Sequence, residues 1–181
     1  MKKNRATFSV VNNAAETTVK NLDSRGVRWF TTSDWVKRTS HKVRLGNAEM
    51  KRQLPAVCWA AKFEDNKRHN ESASWTGLCY IDIDHVSQFH EQGAAALYEE
   101  KCAGREDELG IVHAQVSPSG DGLHIVFIPE TFSSMEQAQA DFARKAGIAQ
   151  YDTSCKDLAR MLFLSPIENT LFDALDTLYD D

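Results

Sequence analysis

Several features are scarce in this sequence, and each absence excludes a class of protein. Its 181 residues include only 4 cysteines, without a C-x-x-C pair or a cysteine–histidine arrangement typical of zinc sites, which favours reduced thiols in a cytoplasm. No apolar run approaches the roughly 18 residues of a membrane span, so we expect no membrane insertion. The basic start, residues 1–5, is not followed by an apolar segment, so we expect no secretory signal.

Repeats, low-complexity tracts and proline-rich or serine-rich linkers are also missing. The content of 42% hydrophobic and 26% charged residues is that of an ordinary globular protein. We therefore expect a single domain over residues 1–181, with an N-terminal basic module at about 1–75 and a motif-bearing core at about 76–181.

Basic residues are scarce in one part of the chain only. Of the 21 Lys and Arg residues, 15 lie in residues 1–70 with 6 of the 26 Asp and Glu residues, a net charge of 15 − 6 = +9. Residues 71–181 hold the other 6 basic and 20 acidic residues, a net charge of 6 − 20 = −14. The formal net charge of −5 therefore hides a basic first third that suits contact with a nucleic-acid backbone.

The spacing of apolar residues predicts an α+β fold. Strands are expected at residues 8–11, 56–63, 77–84, 111–116, 123–128 and 160–165. Helices are expected at residues 29–45, 86–102 and 135–147, followed by a last amphipathic helix with Leu171, Leu175 and Leu178. The nearly continuous apolar run at 77–84 is typical of a central strand buried on both faces.

Two carboxylates lie at the acidic end of the 77–84 strand. Because side chains alternate along a strand, Asp82 and Asp84 are expected on the same face. Adjacent carboxylates repel each other unless a cation or basic groups neutralise them, and Mg²⁺ and Mn²⁺ bind such oxygen ligands together with substrate phosphates. The alternative is a solvated strand end, where aspartate is common.

A glycine-rich turn links the strands expected at 111–116 and 123–128. The sequence Ser117-Pro118-Ser119-Gly120-Asp121-Gly122-Leu123-His124 brings an imidazole onto the second strand. Backbone N–H groups and a histidine can bind phosphate oxygens if the turn forms an anion-binding nest. The alternative is an ordinary hairpin turn with an incidental histidine.

A third segment, residues 151–165, carries Asp152, Lys156 and Arg160 before an apolar run. Two of the 6 basic residues that follow residue 70 are here, which favours contact with phosphate. A salt-bridged loop, with Asp157 paired to Arg160, is the alternative.

In order and spacing, these segments resemble the motifs of the archaeo-eukaryotic primase superfamily, the primase-polymerases. Motif I of that superfamily is an acidic D-x-D or D-x-E on a strand, motif II an S-x-H-like hairpin, and motif III a hydrophobic residue followed by aspartate. The corresponding residues here are 82–84, 119–124 and 151–152. More narrowly, residues 54–55, 76–85 and 155–160 resemble the VirE N-terminal-like group, whose domains often precede a helicase in phage and mobile-element replication proteins.

The resemblance implies a primase-polymerase core, an RRM-like mixed or antiparallel sheet with flanking helices and an N-terminal α/β module. It implies that Asp82, Asp84 and Asp152 are catalytic and hold two divalent ions, Mg²⁺ or Mn²⁺, and that His124 contacts the triphosphate of an NTP or dNTP. The other nucleotide-binding residues implied are Ser119, Gly120, Gly122, Lys156 and Arg160.

The implied activity is nucleotidyl transfer that makes or extends primers on single-stranded or primed DNA. The implied setting is the cytoplasm of a bacterium, with the protein encoded by the cell, a phage or a plasmid, and a replicative helicase is a candidate partner. The basic first third then supplies a DNA-binding surface with Lys37, Arg38, Lys42, Arg44, Lys51 and Arg52. Trp29 and Trp35 suit stacking on bases, although we expect both to pack in the core.

Two other functions fit parts of the pattern. A non-catalytic DNA-binding replication-initiator module would keep the same fold and use the basic first third. A glycosyltransferase would use the D-x-D to hold a sugar nucleotide through Mn²⁺, but the chain is short for such an enzyme.

Overall fold

The computed structural model describes residues 5–179. The expectation of no secretory signal depends on residues 1–5, and of these only Arg5 is among the described residues. The strands are β1 (Phe8–Val11), β2 (Lys20–Leu22), β3 (Ala56–Cys58), β4 (Ala61–Phe63), β5 (Ala73–Trp75), β6 (Cys79–Ile83), β7 (Ile111–Val116), β8 (Leu123–Phe127), β9 (Leu162–Phe163) and β10 (Thr170–Asp173). The α-helices are α1 (Ser24–Thr31), α2 (Asp34–Arg44), α3 (Gly93–Lys101), α4 (Glu106–Leu109) and α5 (Met135–Ala146). Within residues 5–179, no helix combines the length and the apolar character needed to cross a bilayer.

The strands form two four-stranded antiparallel sheets and a two-stranded one. Their orders are β2-β1-β3-β9, β10-β7-β8-β6 and β4-β5. Although β9 comes late in the chain, it pairs with β3, and one hydrophobic cluster extends from Phe8 to Leu175. Residues on both sides of position 75 therefore build the first sheet and share a core. The chain is of mixed α+β class with antiparallel sheets, as the sequence predicts.

Strand β6, which precedes the acidic pair, lies at an edge of its sheet and not at the centre as predicted. Its apolar side chains are nevertheless fully buried. The edge is covered because Nε2 of Gln139 on α5 donates to the Tyr80 carbonyl at 3.0 Å, and the Asp152 N–H donates to the Asp82 carbonyl at 2.8 Å. A buried apolar strand thus does not have to be central when side-chain and loop donors cover its free edge.

Two expected elements are interrupted. The helix expected at 29–45 is two helices, because the Ser33 side chain accepts a hydrogen bond from the Val36 N–H and so begins α2 anew. The strand expected at 56–63 is also two strands, β3 and β4, which belong to different sheets. A turn at residues 59–60 separates them, so the alternation of apolar side chains does not continue across it.

Two expected helices are wrong in part or in full. The helix expected at 86–102 begins only at Gly93, after a short 3-10 turn at Val86–Gln88. The last helix is wrong: Thr170–Asp173 is β10, which pairs with β7, and Leu175–Thr177 is a 3-10 turn. Pairing to an otherwise free edge of β7 outweighs the local leucine periodicity.

The hairpin and the helix after it are confirmed. Strands β7 and β8 pair in the predicted order, and α5 begins at the Ser134 cap and ends at Gly147, which has a left-handed backbone. These two elements carry or flank the residues of the candidate site.

Candidate metal and nucleotide site

Three separate segments meet beside the end of β6. The strand register pairs Asp82 on β6 with His124 on β8, and Nε2 of His124 lies 3.5 Å from Oδ1 of Asp82. The loop after α5 joins them through the bond from the Asp152 N–H to the Asp82 carbonyl. Ligand atoms of Asp82, Asp152 and Cys155 lie within 4.8 Å of one another. Residues that are far apart in sequence therefore form one cluster, which we call the carboxylate cluster (Asp82, Asp152 and Cys155).

Asp82 is the carboxylate of this cluster whose charge is least compensated by hydrogen bonds. Its side chain is 14% exposed, and its Oδ1 has no hydrogen-bond partner among residues 5–179. Burial raises the pKa of Asp82 to about 6, and the negative charge of Asp152 acts in the same direction, whereas Lys51 and Arg160 act against it. The unpartnered oxygen is thus a point where additional positive charge would be favourable.

The pKa of Asp152 is shifted in the opposite direction to that of Asp82. It accepts hydrogen bonds from Sγ of Cys155 at 2.8 Å and from the Ser154 N–H at 2.9 Å, and these bonds lower its pKa. Burial raises the pKa of the Cys155 thiol to about 12, so the thiol keeps its proton and acts as a donor. The zinc spacings and the number of cysteines did not point to this contact; its one signal in the sequence is the Asp-x-x-Cys spacing of Asp152 and Cys155.

Asp84 lies outside the carboxylate cluster. Strand β6 ends at Ile83, and the next residue but one, His85, has a left-handed backbone with φ of 53°. Asp84 therefore lies just beyond the strand, and it is exposed. Partial loss of hydration and the nearby Asp82 charge still raise the pKa of Asp84, so the two carboxylates interact electrostatically without forming the predicted three-aspartate group.

His124 is buried and neutral. It is only 2% exposed, and burial, with a contribution from the Lys51 charge, lowers its pKa to about 3. The Gln115 amide lies against its other ring nitrogen, with Nε2 of Gln115 3.1 Å from Nδ1 of His124. Gln115 was not among the residues singled out from the sequence.

The glycine-rich turn is attached to the segment that follows β6. The Val86 N–H donates to the Asp121 carbonyl at 3.0 Å, and the Asp121 carboxylate accepts from the Ser87 N–H at 2.7 Å. Within the turn, the N–H groups of Ser117 and Gly120 donate to carbonyls of the turn itself, so these two are not free to bind an anion. Asp121, also missed from the sequence, fixes the turn next to the cluster.

Residue 122 has to be glycine because there is no room for a side chain at this position. A Cβ at this position would lie 2.8 Å from Oγ of Ser117 and 3.1 Å from the carbonyl oxygen of Ile83. We expect Gly122→Ala to lower the free energy of unfolding by about 1–3 kcal/mol, measured by urea denaturation. Because Oγ of Ser117 is the closest atom, Ser117→Ala should recover part of this loss in the double variant. Strict additivity of the two substitutions would contradict the steric explanation.

The basic residues divide into two groups. Lys51 lies at the site: its charge acts on Asp82, Asp84 and His124, and its Nζ lies 5.6 Å from the Phe163 ring centroid. Arg160 is partly buried and acts on Asp82 and Asp152. These residues bring positive charge to the carboxylates.

The other basic residues predicted to contact nucleotide or DNA lie at the protein surface. Lys156 forms an ion pair with Glu136 at 3.5 Å, and Lys37 forms one with Glu168 at 3.3 Å. Nε of Arg44 donates to the Pro118 carbonyl at 3.3 Å, which joins the end of α2 to the glycine-rich turn. Arg38, Lys42 and Arg52 are exposed and have no ion pair within residues 5–179.

Both tryptophans expected in the core are exposed instead. Trp29 is 67% exposed and Trp35 is 39% exposed. Trp35 lies on the outer side of α2, where Arg38 and Lys42 follow at spacings of three and seven residues. The expectation that they pack in the core is therefore wrong, and an aromatic side chain joins the basic face of the helix.

The chain belongs to the family described as BT4734-like, N-terminal domain. The model of that family matches residues 49–172, more than two thirds of the chain, and this range includes the carboxylate cluster, Gln115, the glycine-rich turn and Lys51. Neither the curated proteins nor the solved structures include a match to the chain.

Proposed function

We propose that the protein is a metal-dependent nucleotidyltransferase of the primase-polymerase kind, which makes or extends primers on DNA. The observation that carries this proposal is that the Asp82, His124 and Asp152 segments meet at one point beside a glycine-rich turn. The order of these segments in the chain is that of the three superfamily motifs. In this proposal the β10-β7-β8-β6 sheet is the RRM-like core, and the protein acts in the cytoplasm of a bacterium, encoded by the cell, a phage or a plasmid.

The donor set fits a divalent cation. Asp82 offers a buried oxygen that has no hydrogen-bond partner in the described part of the chain, and Asp152 offers a second carboxylate within 4.8 Å. Mg²⁺ or Mn²⁺ would be held by Asp82 and Asp152, while a second ion would depend on Asp84 and substrate phosphates. An ion held there would supply the positive charge that activates an attacking 3′-hydroxyl and offsets the charge of the leaving pyrophosphate.

The chain's own residues would orient the nucleotide. His124 is neutral and can donate one hydrogen bond toward the cluster side. Lys51 and Arg160 bring positive charge close to Asp82, where a triphosphate would add negative charge. Ser119, Gly120 and Gly122 form the turn that Asp121 and Arg44 hold in place.

The direct test is template-directed incorporation of labelled nucleotides. The full chain is incubated with primed and unprimed single-stranded DNA, NTPs or dNTPs, and Mg²⁺ or Mn²⁺. We expect template-dependent product that disappears with EDTA. Absence of product under every combination would count against the proposal.

The outer face of α2 is the proposed template surface. Arg38 and Lys42 are exposed there and form no ion pair among residues 5–179, Trp35 can stack on a base, and Arg44 connects the helix end to the glycine-rich turn. We expect Arg38→Ala with Lys42→Ala to weaken binding of single-stranded DNA and to lower the dependence of log K on log salt by about 1.4, since each lost phosphate contact removes about 0.7. Fluorescence anisotropy over a salt series measures both.

A matched control is available on the same helix. Lys37 is already paired with Glu168, so Lys37→Ala should change the salt dependence less than Arg38→Ala alone or Lys42→Ala alone. An equal effect of all three lysine and arginine substitutions would indicate nonspecific attraction to the basic first third.

The same face supports a second candidate, a non-catalytic DNA-binding module of a replication initiator. The specific observation is that α2 presents its basic and aromatic residues independently of the carboxylate cluster. This candidate predicts DNA binding that is unchanged by Asp82→Asn and no incorporation of nucleotides. A replicative helicase is a proposed partner for either function.

A further inference from the structure

One buried side chain, Gln115 on β7, lies next to the Nδ1 side of the His124 imidazole. The register of β7 and β8 pairs the two residues directly. Gln115 is 1% exposed and His124 is 2% exposed, so solvent does not compete for their contacts. Nε2 of Gln115 lies 3.1 Å from Nδ1 of His124.

Two backbone groups fix which way the Gln115 amide faces. Its Nε2 donates to the Phe163 carbonyl at 2.7 Å, and its Oε1 accepts from the Ser165 N–H at 3.3 Å. Rotating the amide by half a turn would place oxygen against oxygen and N–H against N–H. The amide nitrogen must therefore face His124, and its second N–H is available to donate to Nδ1.

The orientation of the amide determines the tautomer of the imidazole. A neutral imidazole carries one proton, and a ring nitrogen that accepts a hydrogen bond does not carry it. Because Nδ1 accepts from Gln115, the proton is on Nε2, the nitrogen that lies 3.5 Å from Oδ1 of Asp82. The donor of His124 thus faces the carboxylate cluster.

We infer that Gln115 is a positioning residue that holds His124 as the Nε2–H tautomer, so that the imidazole donates a hydrogen bond to a phosphate oxygen of the bound nucleotide. The identity of that acceptor rests on the proposed function, whereas the tautomer does not. Without Gln115 the Phe163 carbonyl, which interacts with His124 as well, would lose its amide donor and would favour a proton on Nδ1. Loss of Gln115 would then turn an acceptor toward the phosphate.

The test is the tautomer of His124 in the full chain. The protein is labelled with ¹⁵N-histidine, the His124 signals are assigned by their absence in His124→Phe, and long-range ¹H–¹⁵N spectra report which nitrogen carries the proton. We expect Nε2–H in the unmodified chain and a mixture or the Nδ1–H form in Gln115→Leu, with Gln115→Met as a second variant. Ser165→Ala is the control, since it removes the hydroxyl bond to the Val116 carbonyl but keeps the backbone N–H that holds Gln115.

Nucleotide binding is measured on the same variants by titration with a non-hydrolysable ATP or dATP analogue and Mn²⁺. We expect Gln115→Leu to weaken binding by about 10-fold to 100-fold, the range found when the partner that orients a metal-binding histidine is lost, and Ser165→Ala to leave it nearly unchanged. An Nδ1–H tautomer in the unmodified chain, or an unchanged tautomer in Gln115→Leu, would overturn the inference. If the tautomer changes as expected but the unmodified chain binds neither analogue, the role of Gln115 is supported and the proposed function fails.

Discussion

Asp82→Asn is expected to raise the free energy of unfolding by about 3 kcal/mol at pH 7.5 in the absence of divalent cations. The pKa of Asp82 rises from 3.8 to about 6 in the folded chain because its carboxylate is buried, and its Oδ1 accepts no hydrogen bond from residues 5–179. A difference of about 2 pKa units corresponds to about 3 kcal/mol of folding free energy, which the neutral amide does not lose. Urea denaturation of both proteins in EDTA measures the difference.

The pH dependence has a definite sign. Between about pH 4 and pH 6 the folded state holds the Asp82 proton and the unfolded state has lost it, so the stability of the unmodified chain falls as pH rises through this window. The advantage of Asp82→Asn should therefore vanish near pH 4 and reach its full value above pH 6.

Asp152→Asn is the matched control with the opposite sign. Hydrogen bonds from Cys155 and Ser154 lower the pKa of Asp152, so its ionised form stabilises the fold at neutral pH, and this contribution is lost as pH falls through its folded pKa. We expect Asp152→Asn to destabilise the chain at pH 7.5. Destabilisation by Asp82→Asn as well would show that Asp82 is already neutralised by its neighbours.

The second large effect concerns catalysis. If Asp82 and Asp152 hold a divalent cation, replacing either by asparagine should lower the rate of nucleotide incorporation at least about 100-fold. Metal ions contribute several kcal/mol to the stabilisation of charge in such a transition state, and each 1.4 kcal/mol is a factor of ten. Single-turnover incorporation at saturating Mn²⁺ measures the loss.

Stability and activity are expected to change in opposite directions in Asp82→Asn, and this separates a functional cost from a folding defect. A more stable but inactive protein is the signature of a carboxylate kept for its chemistry. Glu100 provides a control: it is exposed, pairs with Lys101, contacts His90 and is not part of the carboxylate cluster, so Glu100→Gln should leave incorporation unchanged. Retained incorporation in both Asp82→Asn and Asp152→Asn would contradict the assignment of the metal ligands.

The sequence predicted which segments carry the candidate site better than it predicted their geometry. Asp82 could be found because an Asp-x-Asp spacing follows a nearly continuous apolar run, and His124 because it follows a glycine-rich turn. Gln115 and Cys155 could not, since their roles depend on which strands pair and on a loop that crosses the edge of β6. Contacts between elements are not encoded in the local pattern of one element.

The errors in the fold have the same cause. Leucine spacing near residue 175 suggested a helix, but the free edge of β7 recruited that segment as β10. The strand was expected to run to Asp84, but β6 ends at Ile83 and a short 3-10 turn begins at Val86. Local periodicity predicts an element correctly only where no neighbouring edge or turn competes for the same residues.

The most direct measurement is a crystal structure of the full chain with Mn²⁺ and a non-hydrolysable nucleoside triphosphate, with the ion located by its anomalous signal. We predict an ion bound to carboxylate oxygens of Asp82 and Asp152, and the triphosphate between that ion and the turn at residues 117–122. A chain in which both carboxylates bind only protein groups, with Mn²⁺ and nucleotide absent or bound elsewhere, would contradict the account.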